Sequence, residues 1–100
     1  MGYQVVLSRT ADADLGQIIE YIARDNPEAA LRFGRELMTH ARKLEDFPRI
    51  GRVVPEFRVE SLREIIHGAY RIVYEVDDAR KRVAIARFWH AARGTPDIAR

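Results

Sequence analysis

The side chains that could do chemistry in this chain are basic or aromatic, and they lie in its second half. Arg71 belongs to a run of alternating residues, and Trp89, His90 and Arg93 follow near the end of the sequence. Guanidinium groups match phosphate and carboxylate geometry. A histidine can act as a general acid or base near neutral pH, or can make a structural hydrogen bond at a sheet edge. These residues indicate a site for phosphate or for an acidic partner.

Most other kinds of site are excluded by what the sequence lacks. It has no cysteine, which excludes a disulfide scaffold and a thiolate zinc site, and its three histidines are too scattered for a spacing-defined metal motif. It also has no glycine-rich phosphate loop, no serine nucleophile elbow and no paired histidines on a helix. We therefore expect no metal and no cofactor.

Length, charge and hydropathy limit the number of domains, the kind of partner and the location that the sequence allows. One hundred residues suffice for one core, so residues 1–100 are predicted to form a single domain. The net charge is only +2, with the basic excess in the second half, which does not favour a protein that coats nucleic acid. No apolar run reaches membrane-spanning length and no export signal is visible, so we expect a cytoplasmic protein with no membrane partner.

Hydrophobic spacing and capping residues predict two helices and four strands. Asn26 as N-cap and Pro27 at the first helical position are typical of a helix start. The predicted elements are a strand Tyr3–Leu7, a helix beginning at Ala11 and ending before Asp25, a helix from Pro27 to about Phe47, an irregular stretch Arg52–Glu60, and strands Leu62–Ile66, Tyr70–Val76 and Arg82–Trp89.

This order, β-α-α-β-β-β, predicts an α+β two-layer domain with a helical hairpin packed on a small antiparallel sheet. The other sheet face is expected to stay partly open, with Arg71 projecting into it on the side opposite Ile72 and Tyr74. A solvated strand arginine is the alternative interpretation of Arg71. A tail containing Gly94 and Pro96 is expected to fray.

Three apolar residues outside the predicted core indicate a docking surface. Leu31 and Met38 lie off the main apolar stripe of the second helix, and Phe57 stands alone in a loop. Such positions can mark a groove that a partner covers, and Arg63 can supply charge complementarity to an acidic segment. Ordinary exposure of single apolar side chains is the alternative.

The whole pattern resembles the RelE/ParE superfamily of toxins from bacterial type II toxin–antitoxin systems, and it is most similar to the ParE branch. The matching segments, which together span nearly the whole chain, are Tyr3–Ser8, Ala11 to Ile22, Phe47-Pro48 with Gly51, Leu62-Arg63-Glu64, Tyr70–Tyr74 and His90-Ala91-Ala92-Arg93.

The resemblance implies a growth-inhibiting toxin used in plasmid or chromosomal-locus maintenance. Its partner would be a cognate ribbon-helix-helix, ParD-like antitoxin, whose C-terminal segment wraps the toxin. The toxin would meet operator DNA only through this antitoxin. We expect Leu31, Phe57 and Arg63 to contact this antitoxin.

The two branches of the superfamily differ in their target. ParE-like members are similar to inhibitors that trap DNA gyrase on cleaved DNA, and RelE-like members to metal-independent endoribonucleases that cut messenger RNA. Arg71 and His90 match positions of the nuclease set, but Leu62-Arg63-Glu64 stands where RelE has lysines and no tyrosine follows Tyr74.

We therefore expect gyrase inhibition, with Arg71, Trp89, His90 and Arg93 binding the target and no catalytic residue. The nuclease, with Arg71 and His90 catalytic, is the first alternative. An inactive toxin acting as an antitoxin-bound corepressor is the second.

Overall fold

The computed structural model describes residues 2–98, which form two helices and a five-stranded sheet. In chain order the elements are β1 (Gln4–Leu7), α1 (Arg9–Ala23), α2 (Pro27–Arg42), a 3₁₀ turn (Lys43–Glu45), β2 (Arg52–Val53), β3 (Leu62–His67), β4 (Tyr70–Asp77), β5 (Arg82–His90) and a second 3₁₀ turn (Ala91–Arg93). The predicted α+β class, with a helical hairpin on one sheet, is confirmed.

Side-chain caps set where both helices start. Ser8 Oγ accepts a hydrogen bond from the Ala11 N–H at 3.0 Å, so α1 begins two residues before the predicted start at Ala11. Asn26 Oδ1 accepts from the Ala29 N–H, as predicted. The expected end of α2 near Phe47 is wrong, because the chain tightens into a 3₁₀ turn directly after Arg42.

The sheet has the strand order β1-β5-β4-β3-β2 and is mixed rather than antiparallel throughout. Strands β2 to β5 pair antiparallel, but β1 runs parallel to β5, with Gln4 opposite Arg82. The predicted direction of β1 relative to β5 is therefore wrong. The cause is β2, a two-residue strand inside the stretch expected to be irregular, which adds one more reversal of the chain.

The main core lies between the helices and the sheet. Alternate residues of β4, namely Ile72, Tyr74 and Val76, face Leu37 of α2 and the core residues of β5. Tyr74 also accepts a hydrogen bond from the Gly51 N–H at 3.0 Å, which ties the segment before β2 to the middle of the sheet. This confirms the alternation predicted for β4.

The sheet face opposite the helices, here called the outer face, is covered in its middle by the chain itself. Val54, Leu62 and Val73 form a second buried cluster, against which Phe57 and Ile98 pack. A few apolar residues of the 54–59 loop and the tail cover the middle of this face. The expectation of a partly open face is confirmed only outside this cluster, where Ile66, on the same face of β3 as Leu62 and Glu64, is 53% exposed.

The tail is docked over residues 94–98, which contradicts its predicted fraying. The Gly94 carbonyl accepts hydrogen bonds from Arg71 Nη1 and Trp89 Nε1, both at 3.1 Å, and the Asp97 carbonyl accepts from Arg87 Nη1 at 2.9 Å. Pro96 is fully buried. Side chains of the outer face thus hold the tail where it would otherwise lack a strand partner.

No helix within residues 2–98 has both the length and the apolarity needed to cross a membrane.

Candidate functional site

The end of the sheet where β4 begins and β5 finishes brings together the residues predicted to bind a target. Tyr70 lies opposite His90 and Arg71 opposite Trp89 in the β4–β5 register. Arg93 follows on the 3₁₀ turn, with its guanidinium carbon 3.9 Å from the centre of the Trp89 ring. All four predicted target-binding residues therefore lie at one end of the molecule, but on two different sides of the sheet.

Arg71 is buried on the outer face and is held by two carboxylates. Its Nε donates to Glu64 at 2.6 Å and its Nη2 to Glu56 at 2.7 Å. The Glu64 side chain is fully buried and also accepts from Arg52 at 2.7 Å. The expected projection of Arg71 into an open concavity is wrong, since the loop that carries Glu56 and the tail at Gly94 both cover it.

The charges of this network reinforce one another. The hydrogen bonds that Arg71 donates lower the pKa of Glu56 from 4.5 to about 2, despite the opposing effect of desolvation. The Glu56 carboxylate accordingly stays ionised at neutral pH, which helps to compensate the buried guanidinium.

Trp89 is buried between two arginines. Arg87 and Arg93 lie 4.8 Å and 3.9 Å from its ring centre, in cation–π geometry. Arg87 is itself fixed by Asp14 of α1, whose two carboxylate oxygens accept its Nε at 2.8 Å and its Nη2 at 3.0 Å. Of the two arginines on the indole, only Arg93 is exposed.

Within residues 2–98, His90 makes a structural hydrogen bond with one ring nitrogen and none with the other. Its Nδ1 accepts a hydrogen bond from the Ala92 N–H at 3.1 Å, which places the proton of the neutral ring on Nε2. Its ring meets Tyr70 edge-on at a centroid distance of 5.1 Å. Nε2 is therefore left as a donor for whatever enters the space beside Tyr70.

A cleft of about 190 Å³ opens on the helix side of this sheet end, and we call it the tyrosine cleft. Its floor contains Ile18 and Phe88, and its walls contain Tyr21 from α1 and Tyr70 from β4. Its remaining lining residues are Asp14, Gln17, His90 and Arg93. Burial raises the pKa of the Tyr70 hydroxyl, with a smaller contribution from Tyr21, so that hydroxyl stays protonated as a donor at neutral pH.

The three residues predicted to contact an antitoxin do not form one surface. Leu31 is exposed on a groove between α1 and α2, which Leu15, Ile19 and Met38 also line. Phe57 instead packs on the outer-face cluster, and Arg63 donates to the Gly51 carbonyl at 2.9 Å and to Glu60. The expectation that Phe57 stands alone is wrong, because the loop folds back onto the sheet.

Carboxylates and tyrosines are the residues that sequence reasoning missed. Asp14 caps the open edge of β5 by accepting the Phe88 N–H at 3.1 Å, and its position between Ala11 and Ile18 on an apolar stripe was a signal of a buried role. Glu64 within an apolar strand was another. No local signal distinguished Glu56 or Tyr21, because their surroundings come from distant segments.

Within residues 2–98 no cluster of three or more histidine or acidic side chains could hold a metal ion.

Comparisons with known proteins place this fold among bacterial toxins. The family model described as the ParE toxin of the type II toxin–antitoxin system parDE matches residues 5–94. The curated protein Toxin RelE2 of Caulobacter vibrioides is 40% identical over 91 residues, covering 90% of this chain and 97% of that protein.

Two solved structures share the architecture. A chain from the chromosomal ParDE system of P. aeruginosa has a TM-score of 0.72 at 22% identity, covering 89% of this chain and 96% of that one. A chain from the RelBE2 toxin–antitoxin complex of Mycobacterium tuberculosis has a TM-score of 0.66 at 26% identity, covering 90% and 99%.

Proposed function

Because this chain belongs to the ParE toxin family and is the toxin of a type II toxin–antitoxin system, we propose that it stops growth by binding and inhibiting DNA gyrase. In this proposal the toxin acts as a binding protein, and the tyrosine cleft with Arg93 and Trp89 forms the centre of the surface that meets the target. Its partner is a cognate antitoxin, which we propose to be ParD-like and to be the route by which the toxin reaches operator DNA.

The state of Arg71 is the observation that supports this proposal. A metal-free ribonuclease needs a cation that can hold the scissile phosphate as charge develops on it. Arg71 is buried, and its guanidinium nitrogens already donate to Glu64, Glu56 and the Gly94 carbonyl. Recruiting it for a phosphate would break buried charge-assisted hydrogen bonds, which costs several kcal/mol in a typical protein.

The decisive experiment compares the two activities in one preparation. Purified toxin should inhibit gyrase supercoiling in a dose-dependent way and accumulate cleaved DNA, while ribosome-bound messenger RNA stays intact. Arg93→Ala removes an exposed cation of the proposed surface and should weaken inhibition by about 1 to 3 kcal/mol of contact energy. Arg80→Ala, an exposed cation at the β4–β5 turn on the opposite end of the sheet, is the matched control.

A RelE-like endoribonuclease is the second candidate, and two observations favour it. One is the 40% identity with a protein named Toxin RelE2. The other is the pairing of His90, with Nε2 uncommitted, and Tyr70 at 5.1 Å beside Arg93, which together could move a proton and hold a phosphate. Messenger cleavage that His90→Ala abolishes, with gyrase unaffected, would replace the first proposal by this one.

The helical groove is where we propose that the antitoxin docks. Its floor is apolar and its rim carries Arg35 and Arg42, which suits an amphipathic segment with acidic residues. Leu31→Ala should speed dissociation of the complex by about tenfold or more. Ile66→Ala removes an equally exposed aliphatic side chain from β3 and should leave dissociation unchanged.

A further inference from the structure

The tyrosine cleft gathers polar side chains that the protein itself does not use. Within residues 2–98, the hydroxyls of Tyr21 and Tyr70 and the amide of Gln17 make no hydrogen bond to the protein. His90 uses only Nδ1, and the Arg93 guanidinium contacts an indole ring rather than a carboxylate. Five groups with donor capacity thus converge on one small space and are left for solvent or a ligand.

The charge of the cleft favours an anion. Asp14 is its one carboxylate among the lining residues, and both of its oxygens are occupied by Arg87 and the Phe88 N–H. Arg93 stands at the rim with no carboxylate partner in the described part of the chain. A phosphate at the rim would gain a charge-assisted hydrogen bond without displacing an existing ion pair.

The shape and composition of the cleft favour a single flat ring. A volume of about 190 Å³ is below that of sites for drug-sized ligands, and the walls are two phenol rings over an apolar floor. Tyr21 is 68% exposed, so its ring gains nothing from the core and can cover an incoming ring. Ring stacking is sequence-tolerant, whereas His90 Nε2–H can select for an acceptor on the ring edge.

We infer that the tyrosine cleft binds a 5′-nucleotide, with the base against Tyr21 and Tyr70 and the phosphate on Arg93. The aromatic part of this site lies on the helix side of the sheet, and Arg93 reaches its rim from its position over the Trp89 ring. The inference does not depend on which target the toxin inhibits. The same chemistry could come from a free nucleotide or from the phosphorylated 5′ end of a nucleic-acid strand.

Trp89 provides a direct readout, since it is the only tryptophan in the chain. Arg93 lies 3.9 Å from its ring, so drawing the guanidinium onto a phosphate should change the indole fluorescence. Titrating the full-length toxin with AMP should give a saturable change. Adenosine and inorganic phosphate, each carrying half of the ligand, should both bind at least about tenfold more weakly than AMP.

Variants test the residues by equilibrium dialysis with labelled AMP, which does not rely on the indole. Tyr21→Ala and Arg93→Ala should each weaken binding by about tenfold or more. Both side chains are exposed, so neither change should unfold the protein, and circular dichroism verifies this. Phe47→Ala and Arg80→Ala remove an exposed ring and an exposed cation elsewhere, and they should bind AMP like the unchanged protein.

A short 5′-phosphorylated oligonucleotide distinguishes the sources of the ligand. If it binds at least about tenfold more tightly than AMP, the site reads strand ends, and if the two bind equally, the site reads free nucleotides. The inference is overturned if AMP shows no saturable binding at low millimolar concentration, if binding survives both Tyr21→Ala and Arg93→Ala, or if only an acidic aromatic peptide occupies the cleft. Gyrase is absent throughout, so failure here leaves the proposed function untouched.

Discussion

The outer face and the helix side of the sheet end differ in what holds their polar side chains. On the outer face Arg71 has two carboxylates and a carbonyl as partners, and Glu64 serves two arginines. Around the tyrosine cleft, at the same end of the sheet, Tyr21 and Arg93 have no hydrogen-bond acceptor in residues 2–98. The strand arginine therefore serves the fold, whereas the exposed unpaired groups around the cleft are available to a partner.

Substitution at Glu64 should give the largest loss of stability. Its side chain is fully buried, so Glu64→Ala leaves the buried Arg71 with half of its compensation. Breaking such a pair typically costs about 3 to 5 kcal/mol. Urea denaturation measures this, with Arg80→Ala as the control for an exposed ion pair worth about 0.5 kcal/mol or less. A loss below about 1 kcal/mol for Glu64→Ala would mean that the outer-face network does not stabilise the fold.

Substitution at Asp14 should give the second largest loss of stability, because Asp14 both binds Arg87 and lines the tyrosine cleft. Asp14→Ala removes the partner of Arg87 and leaves the Phe88 N–H at the edge of β5 without an acceptor. We expect a loss of about 2 to 3 kcal/mol in the free energy of unfolding. Asp12→Ala removes an exposed carboxylate from the first turn of α1 and isolates the helix-dipole contribution of about 0.3 to 1 kcal/mol. Equal effects of the two substitutions would contradict the capping role of Asp14.

Acid should weaken the contact between Glu56 and Arg71 on the outer face. The pKa of Glu56 is about 2 in the folded protein against 4.5 for the free side chain, so the unfolded chain takes up this proton first as pH falls. Its contribution is complete above about pH 4.5 and is lost progressively toward pH 2. Urea midpoints measured across this range should fall less steeply for Glu56→Gln than for the unchanged protein. Identical slopes would show that Arg71 does not lower the pKa of this carboxyl.

Substitutions in the tyrosine cleft should have the smallest effect on the free energy of unfolding. Tyr21→Ala and Arg93→Ala remove exposed groups without hydrogen-bond partners in the described chain, so the free energy of unfolding should change by no more than about 0.5 kcal/mol. Their effect should appear in gyrase inhibition and in nucleotide binding instead. If either variant is destabilised as strongly as Asp14→Ala, the cleft serves the fold and the contrast between the two sides disappears.

The parts of this fold that could be predicted from sequence are those that local pattern determines. The capping of α2 at Asn26 and the alternation through Tyr74 follow from residues close in sequence, and both predictions are confirmed. The two-residue strand β2 carries too little pattern to recognise, and missing it reversed the predicted direction of β1. Long-range hydrogen bonds, rather than propensity, place Arg52 and Val53 in the sheet.

The positions of the candidate site residues could be predicted only where they depend on local strand pairing. Placing Arg71 near Trp89 follows from a strand register that the hairpin fixes. Its burial depends on Glu56 and Gly94, which reach it from a loop 15 residues before and a tail 23 residues after. No periodicity encodes such contacts, so sequence pattern could name the residue but not its surroundings.

The parallel pairing of β1 with β5 bears on when the toxin can complete its structure during synthesis. Next to this pairing, Ser8 Oγ donates a hydrogen bond to the carbonyl of Ala86, which lies 78 residues later in the sequence. At about 5 to 20 residues per second, the ribosome makes β5 roughly 4 to 16 s after β1. The first strand of the nascent chain must wait that long for its partner. The strand that closes the sheet also carries Trp89 and His90, so the site and the fold are completed in one late event after most of the chain has been translated.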